Sequence, residues 1–309
     1  MTPPVPHIHI CEVGPRDGLQ AVARTMATRD KISWIDALYS AGLREIEVAS
    51  FVPAKLLPQM ADAQAVVRHA VTLPGLSVVA LVPNLRGAQA AIAAGAHKIT
   101  VPCSASAAHS LANVRKTRED MVKEVRQIVQ MRNDTAPGVQ IEAGISTAFG
   151  CTIQGEVKED DVVWLVEALI ASGADVSGLA DTTGMANPAQ VQRIFKRVVA
   201  AVSLDKTGGA HMHNTRGLGL ANCLAAYEVG IRVFDSSQAG LGGCPYAPGA
   251  SGNVATEDMV FMFEAMGVKT GVNLEKLFAA RLALEVGLPG EPLYGMVAAA
   301  GLPKGFAYA

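Results

Sequence analysis

Two histidines separated by one residue, His211 and His213, have the spacing in this chain that most directly suggests chemistry. In a β-strand, positions i and i+2 point to the same face, so both imidazoles look the same way. Two ring nitrogens with a carboxylate and an amide oxygen make a mixed site for a divalent cation. A donor set without thiolates favours Mg2+, Mn2+ or Zn2+ at a working site over a structural zinc. Asp17 and Asn253 are the candidate oxygen donors. The plainer reading is a pair of half-buried histidines bonded to neighbours, but H-x-H at the rim of a predicted barrel favours ligation. His7 and His9 repeat the spacing at the opposite end of the first predicted strand and read as structural.

Arg16 stands next to Asp17 in GPRDG, where Gly14, Pro15 and Gly18 predict a tight turn. Such neighbours usually form a surface pair of little worth. At a strand end the guanidinium could instead stabilise an oxyanion while Asp17 binds metal. Glu47, from the next predicted strand, is placed to orient Arg16.

A third element is SQAGLGGCPYAPGASGNVATED, residues 237–258. Its glycines and two prolines cannot continue a helix or strand, so it reads as a shaped loop around Cys244. Loops of this length in a compact domain usually serve as lids or binding loops. It has few charges for a disordered connector, so a thiol held over a substrate is the favoured reading.

These residues need a scaffold, and 309 residues that are half hydrophobic supply one. The net charge of −2 is spread along the chain without a basic stripe, which argues against nucleic acid. Five scattered cysteines without a CxxC pair suit free thiols in a reducing compartment. No signal-peptide order opens the chain and no apolar run reaches the roughly 20 residues needed to span a bilayer. A cytoplasmic protein without membrane contact is expected.

Short β-rich runs at 7–14, 44–50, 77–83, 97–104, 139–147, 175–181, 209–215 and 232–237 alternate with helical stretches. The helices are predicted at 28–42, 59–70, 84–94, 117–132, 158–172, 188–201 and 217–229, with a polar loop before 117. Parallel strands joined by crossover helices imply a sheet buried on both faces. Eight such units predict an α/β fold, a (β/α)8 TIM barrel, in one domain over 1–309 with a helical extension over 260–309. A doubly wound open sheet is the competitor, but VGPRDGLQ is no dinucleotide-binding fingerprint. In a barrel the active site lies at the C-terminal ends of the strands. There the sequence places Arg16, Asp17, Glu45, Glu47, Glu142, Asp181, His211, His213 and, past the last strand, Asn253.

Seven segments together resemble the 3-hydroxy-3-methylglutaryl-CoA lyase family of metal-dependent, Claisen-type barrels. They are VGPRDGLQ (13–20), EVASFVPAKLLPQM (47–60), TVPCSAS (100–106), ISTAFGC (145–151), LADTTGMANP (179–188), HMHNT (211–215) and GLGGCPYAPGASGNVATED (240–258). The last is the most specific, because condensing synthases share the barrel and metal motif but not this cysteine loop. The resemblance implies that Asp17, His211, His213 and Asn253 bind a divalent cation, Mg2+ or Mn2+. It implies that Arg16 stabilises the enolate oxygen of the leaving acetyl-CoA fragment, with Glu47 holding it. Cys244 would transfer a proton beneath a closed lid, and Asp181 would lie at the catalytic cavity. The substrate would be an acyl-CoA thioester, and pairing through outer helices would give a homodimer.

That chemistry is coherent in itself. Cleaving a tertiary alcohol next to a thioester requires loss of the hydroxyl proton, which a coordinated cation eases. The negative charge of the enolate needs a partner, and the carbanion needs a proton. A thiol of reference pKa about 8.5 is a far stronger acid than the methyl group it would form. Three departures from the family pattern bear on substrate identity. Ala21, Val22 and Ala23 replace a polar Asn-Glu-Lys run, Asn214 replaces an Asp, and Arg216 replaces an aromatic. Arg216 reads equally as a binder of a substrate carboxylate or CoA phosphate and as a surface pair. The competing functions are a condensing synthase or aldolase on the same template and a non-catalytic acyl-CoA-binding barrel.

Overall fold

A computed structural model describes residues 7–242 and 252–309. Eight parallel strands close in chain order into a barrel, as expected of a TIM fold, with β1 pairing β2 on one side and β8 on the other. The strands are β1 His9–Glu12, β2 Glu45–Ser50, β3 Ser77–Leu81, β4 Lys98–Ser104, β5 Gln140–Ser146, β6 Val176–Ala180, β7 Thr207–His211 and β8 Val233–Ser236. An open doubly wound sheet is excluded by this closure.

Alternation along each strand divides the barrel into two environments. In β5, Ile141, Ala143 and Ile145 are fully buried, whereas Glu142, Gly144 and Ser146 alternate with them and are only partly covered. The outer face meets the helices. Helix Pro188–Val202 shows why its sequence folds as it does. Asn187 caps it by accepting a hydrogen bond from the Gln190 amide at 3.1 Å, and Pro188 sits in the first turn, where no amide donor is needed. Its buried residues Val191, Ile194, Phe195 and Val198 follow the spacing of one helical face. Burying each such side chain contributes roughly 1.5–3 kcal/mol.

Two local features differ from the sequence reading. The stretch that reads as a polar loop contains a helix, Ala107–Val114, started by Ser106, whose hydroxyl accepts from the His109 amide at 3.1 Å. β7 stops at His211 instead of running to 215, because the chain turns out of the barrel and His213 forms an isolated antiparallel bridge with Asn253. Past β8, helix Thr256–Ala265 is followed by helix Leu274–Gly287 and the short helix Met296–Ala300. Helix Leu274–Gly287 packs along helix Thr28–Ser40, and the Asn273 amide donates to the Ala41 carbonyl at 2.7 Å where the two meet.

Candidate active site

β1 delivers the first pair of site residues through a single wide helical turn, Gly14–Gly18, in which the Asp17 amide donates to the Val13 carbonyl at 2.7 Å. A side chain at position 14 would lie 2.6 Å from Glu12 Oε1 and 2.8 Å from the Trp34 ring, so only glycine lets the turn sit down on the barrel. Glu12, which sequence reasoning passed over, ties this turn to the far end of the chain. Its carboxylate accepts from the Gly14 amide (2.9 Å), the Gln238 amide (2.8 Å) and the Thr256 hydroxyl (2.6 Å). The signal for it was a lone acid in the apolar run ICEV, between residues that alternate inward and outward.

Arg16 is held from two sides. Its Nε donates to Glu47 Oε2 at 2.6 Å, its Nη2 contacts the same oxygen, and its Nη1 donates to Asp17 Oδ1 at 2.5 Å. Burial opposes a charge here, but the Glu47 and Asp17 carboxylates overcome it and keep the guanidinium protonated, its pKa raised above the ordinary value. Burial pushes Glu47 up to about 7 despite Arg16, and among the described residues its Oε1 is buried without a hydrogen-bond partner. Asp17 moves the other way. Burial would raise it, but Arg16, His211 and His213 hold it down to about 2.

The histidines converge on Asp17. His211 Nε2 lies 3.1 Å from His213 Nε2 and 4.0 Å from Asp17 Oδ2, and one ligand atom from each of the three residues falls within 4.8 Å of the others. Two nitrogens that share an ion at about 2.1 Å, at roughly a right angle, would stand about 3 Å apart. Burial and the neighbouring His211 lower His213 to about 4, so its ring is neutral, as a ligand must be. Oxygen and nitrogen donors in these states fit a divalent cation. Asn253 packs beside them. Its Nδ2 donates to Asp17 Oδ2 at 2.7 Å and to the Leu241 carbonyl at 3.2 Å. To act as an oxygen donor it must turn its carbonyl toward the cation.

These groups open into a cavity of about 700 Å³, lined by Arg16, Asp17, Glu47, His211 and His213 among others. The cavity reaches down the barrel to Lys98 and Glu142 and up to the helix Ala107–Val114. Of the other strand acids, Glu45 and Glu142 both pair with the buried Lys98, at 3.0 and 2.6 Å. His9 bonds Glu45 at 3.2 Å, in keeping with its structural reading.

Asp181 follows β6 directly and is buried. It is not among the residues lining the cavity, although its neighbours Ala180 and Thr182 are. Its Oδ1 accepts from the Met185 and Ala186 amides at 2.8 and 3.1 Å, which shapes the loop after β6 because free backbone donors there need a partner. Arg216 serves that same loop, its Nη1 donating to the Thr183 and Gly184 carbonyls at 2.9 and 2.8 Å. Asn214 Oδ1 accepts from the Gly219 amide at 3.0 Å, and neither Asn214 nor Arg216 lines the cavity. Cys244 lies outside the described residues.

With this geometry in place, known proteins supply the context. The HMGL-like family model matches residues 7–283. The chain belongs to that family. It is 43% identical over 289 residues to the hydroxymethylglutaryl-CoA lyase YngG of Bacillus subtilis, covering 93% of this chain and 94% of that one. It is 39% identical over 273 residues to the mitochondrial hydroxymethylglutaryl-CoA lyase of Homo sapiens, covering 88% and 83%. An HMG-CoA lyase from Acinetobacter baumannii, solved with coenzyme A and 3-methylmalate, superposes with a TM-score of 0.90 at 40% identity, over 98% of this chain and 97% of that one. Membership of the HMGL-like family therefore extends over the barrel and all eight strands. No helix among the described residues is long and apolar enough to cross a membrane.

Proposed function

We propose that this protein is a carbon–carbon lyase that cleaves 3-hydroxy-3-methylglutaryl-CoA, or a close 3-hydroxy-3-alkyl analogue, to a 3-oxo acid and acetyl-CoA. One observation carries the reading: Asp17, His211 and His213 meet within 4.8 Å beside the Arg16–Glu47 pair, in a chain about 40% identical to HMG-CoA lyases along most of its length. In this reaction the bond between C2 and C3 breaks. The C3 hydroxyl loses its proton and becomes a ketone, while the electron pair passes to C2 as a thioester enolate that is then protonated.

Asp17, His211, His213 and Asn253 would hold Mg2+ or Mn2+, which when bound lowers the pKa of a coordinated hydroxyl. Arg16 would balance the charge on the enolate oxygen. A guanidinium has five N–H donors in a fixed fork. Three face Glu47 and Asp17, which leaves two for a ligand. Glu47 fixes the plane of that fork from the buried side, so no reorganisation is needed as charge develops. Cys244 would supply the proton to C2.

The test is to incubate the purified protein with Mg2+ and the thioester and to assay acetoacetate and acetyl-CoA. No product from this thioester or its 3-alkyl analogues overturns the reading, and condensation of acetyl-CoA with a 2-oxo acid would favour a synthase. Binding without turnover would favour a non-catalytic acyl-CoA carrier. Because the Acinetobacter relative was solved with coenzyme A and 3-methylmalate, 3-methylmalyl and citramalyl thioesters belong in the same panel.

A further inference from the structure

The residue directly opposite His211 on the neighbouring strand is Asp235, through the pairing of β7 with β8. In β8 the alternation turns Phe234 outward, where it is fully buried among apolar residues, and Asp235 inward, where it lines the cavity. Asp235 Oδ2 lies 3.1 Å from His211 Nδ1, on the opposite side of the ring from the nitrogen that faces His213 and Asp17.

From this geometry we infer that Asp235 is a positioning residue for the metal site, one that fixes the tautomer and the ring plane of His211. An ionised carboxylate only accepts hydrogen bonds, so the contact requires the proton on Nδ1. The lone pair is then left on Nε2, the atom that points into the Asp17–His211–His213 group. A histidine ligand anchored through its second nitrogen to a carboxylate is both oriented and made more basic. His213 lacks such an anchor: among the described residues its Nδ1 is buried without a hydrogen-bond partner. The orientation of His211 therefore depends on an acid on a different strand. Asp235 touches no reacting atom in this scheme and acts only through His211.

This inference rests on the metal-site reading, and the experiment separates the two. Histidine-selective 15N spectra of the metal-free protein, with His211 assigned by its absence in His211→Gln, report the tautomer directly. The wild type should show His211 protonated at Nδ1, and Asp235→Ala should lose that signature. Mn2+ titration followed by electron paramagnetic resonance should give a Kd raised about 10- to 100-fold in Asp235→Asn and Asp235→Ala, with the Tm of metal-free Asp235→Asn unchanged. A wild type that takes up no Mn2+ overturns the metal reading itself. Wild-type uptake with affinities within twofold in both variants, or a wild-type His211 protonated at Nε2, overturns the role of Asp235 alone. Should Asp235→Ala fail to fold, the near-isosteric Asp235→Asn and the wild-type spectrum decide.

Discussion

Replacing Arg16 with lysine isolates what the shape of the guanidinium contributes, because the charge stays. Arg16 reaches Glu47 through Nε and Nη2 and Asp17 through Nη1, which leaves two donors of the fork for the enolate oxygen. Lysine is a point charge with three rotatable donors. It can pair with Glu47 or reach toward Asp17, but it cannot hold both and still present a fixed donor to substrate. The expected loss is that of one oxyanion donor, about 10²- to 10³-fold in kcat, or roughly 2.7–4 kcal/mol. KM should change little, since the missing interaction is made mainly in the transition state. Mn2+ affinity should hold, because a positive charge stays beside Asp17 and Gln20 still donates to it at 2.7 Å. Arg16→Gln completes the comparison. It strands Glu47, a carboxylate only 2% exposed, and breaking such a buried pair costs about 3–5 kcal/mol. In a chain of 309 residues this corresponds to a Tm fall of about 5–8 °C. Acetoacetate release at saturating substrate and a thermal melt measure both. An Arg16→Lys enzyme within threefold of wild-type kcat would refute the assignment of enolate stabilisation to this side chain.

Cys244→Ala should lower turnover by orders of magnitude and leave Mn2+ affinity unaltered; undiminished turnover would remove the thiol from the reaction. Gly252→Ala should abolish activity with the barrel still folded, as judged by circular dichroism. Its φ of +80° disfavours any side chain, and a Cβ there would lie 1.6 Å from the Gly242 carbonyl, forcing apart the backbone that carries Asn253. Phe195→Ala, far from the site and fully buried, should cost about 3–5 kcal/mol of stability in a denaturant melt while KM of the folded enzyme stays constant.

What the sequence made legible is whatever repeats or sits at a fixed spacing. Eight β/α alternations impose a barrel because each strand is apolar on its helix-facing side and each helix carries one apolar face. His211 and His213 were readable as a pair because two residues apart means one direction, and that survived even though β7 ends between them. The pairing of Arg16 with Glu47 was readable from adjacent strand ends. Contacts set by how one strand registers against another carried no such signal. Asp235 faces His211 only because β7 and β8 align in one particular way, and Glu12 meets Thr256 across 244 positions of chain. Nor does spacing show that the amides of Met185 and Ala186 meet one oxygen of Asp181, while its Oδ2 is buried without a hydrogen-bond partner among the described residues. The helix Ala107–Val114 was hidden because its N-cap, Ser106, sits in a run of small residues that also suits a loop.

The interior of this barrel explains how the fold reconciles a deep site with stability. TIM barrels are commonly filled by layers of bulky branched side chains. Here the lining of the cavity includes Cys11, Thr100, Gly144, Gly178 and Gly209, so the space below His211 is open and the floor is the charged group of Lys98 with Glu45 and Glu142. Little hydrophobic stabilisation can come from that side. It must come from the shell between strands and helices, where Trp34, Phe195, Phe234 and Phe263 are fully buried. Separating the two means that inner-face substitutions that leave the buried ion pairs intact should change binding and turnover more than stability, and those on the outer face the reverse. β8 compresses the contrast into adjacent residues. Phe234 anchors the shell and Asp235 faces the site, so the strand that fixes the one also sets the height of the other beside His211.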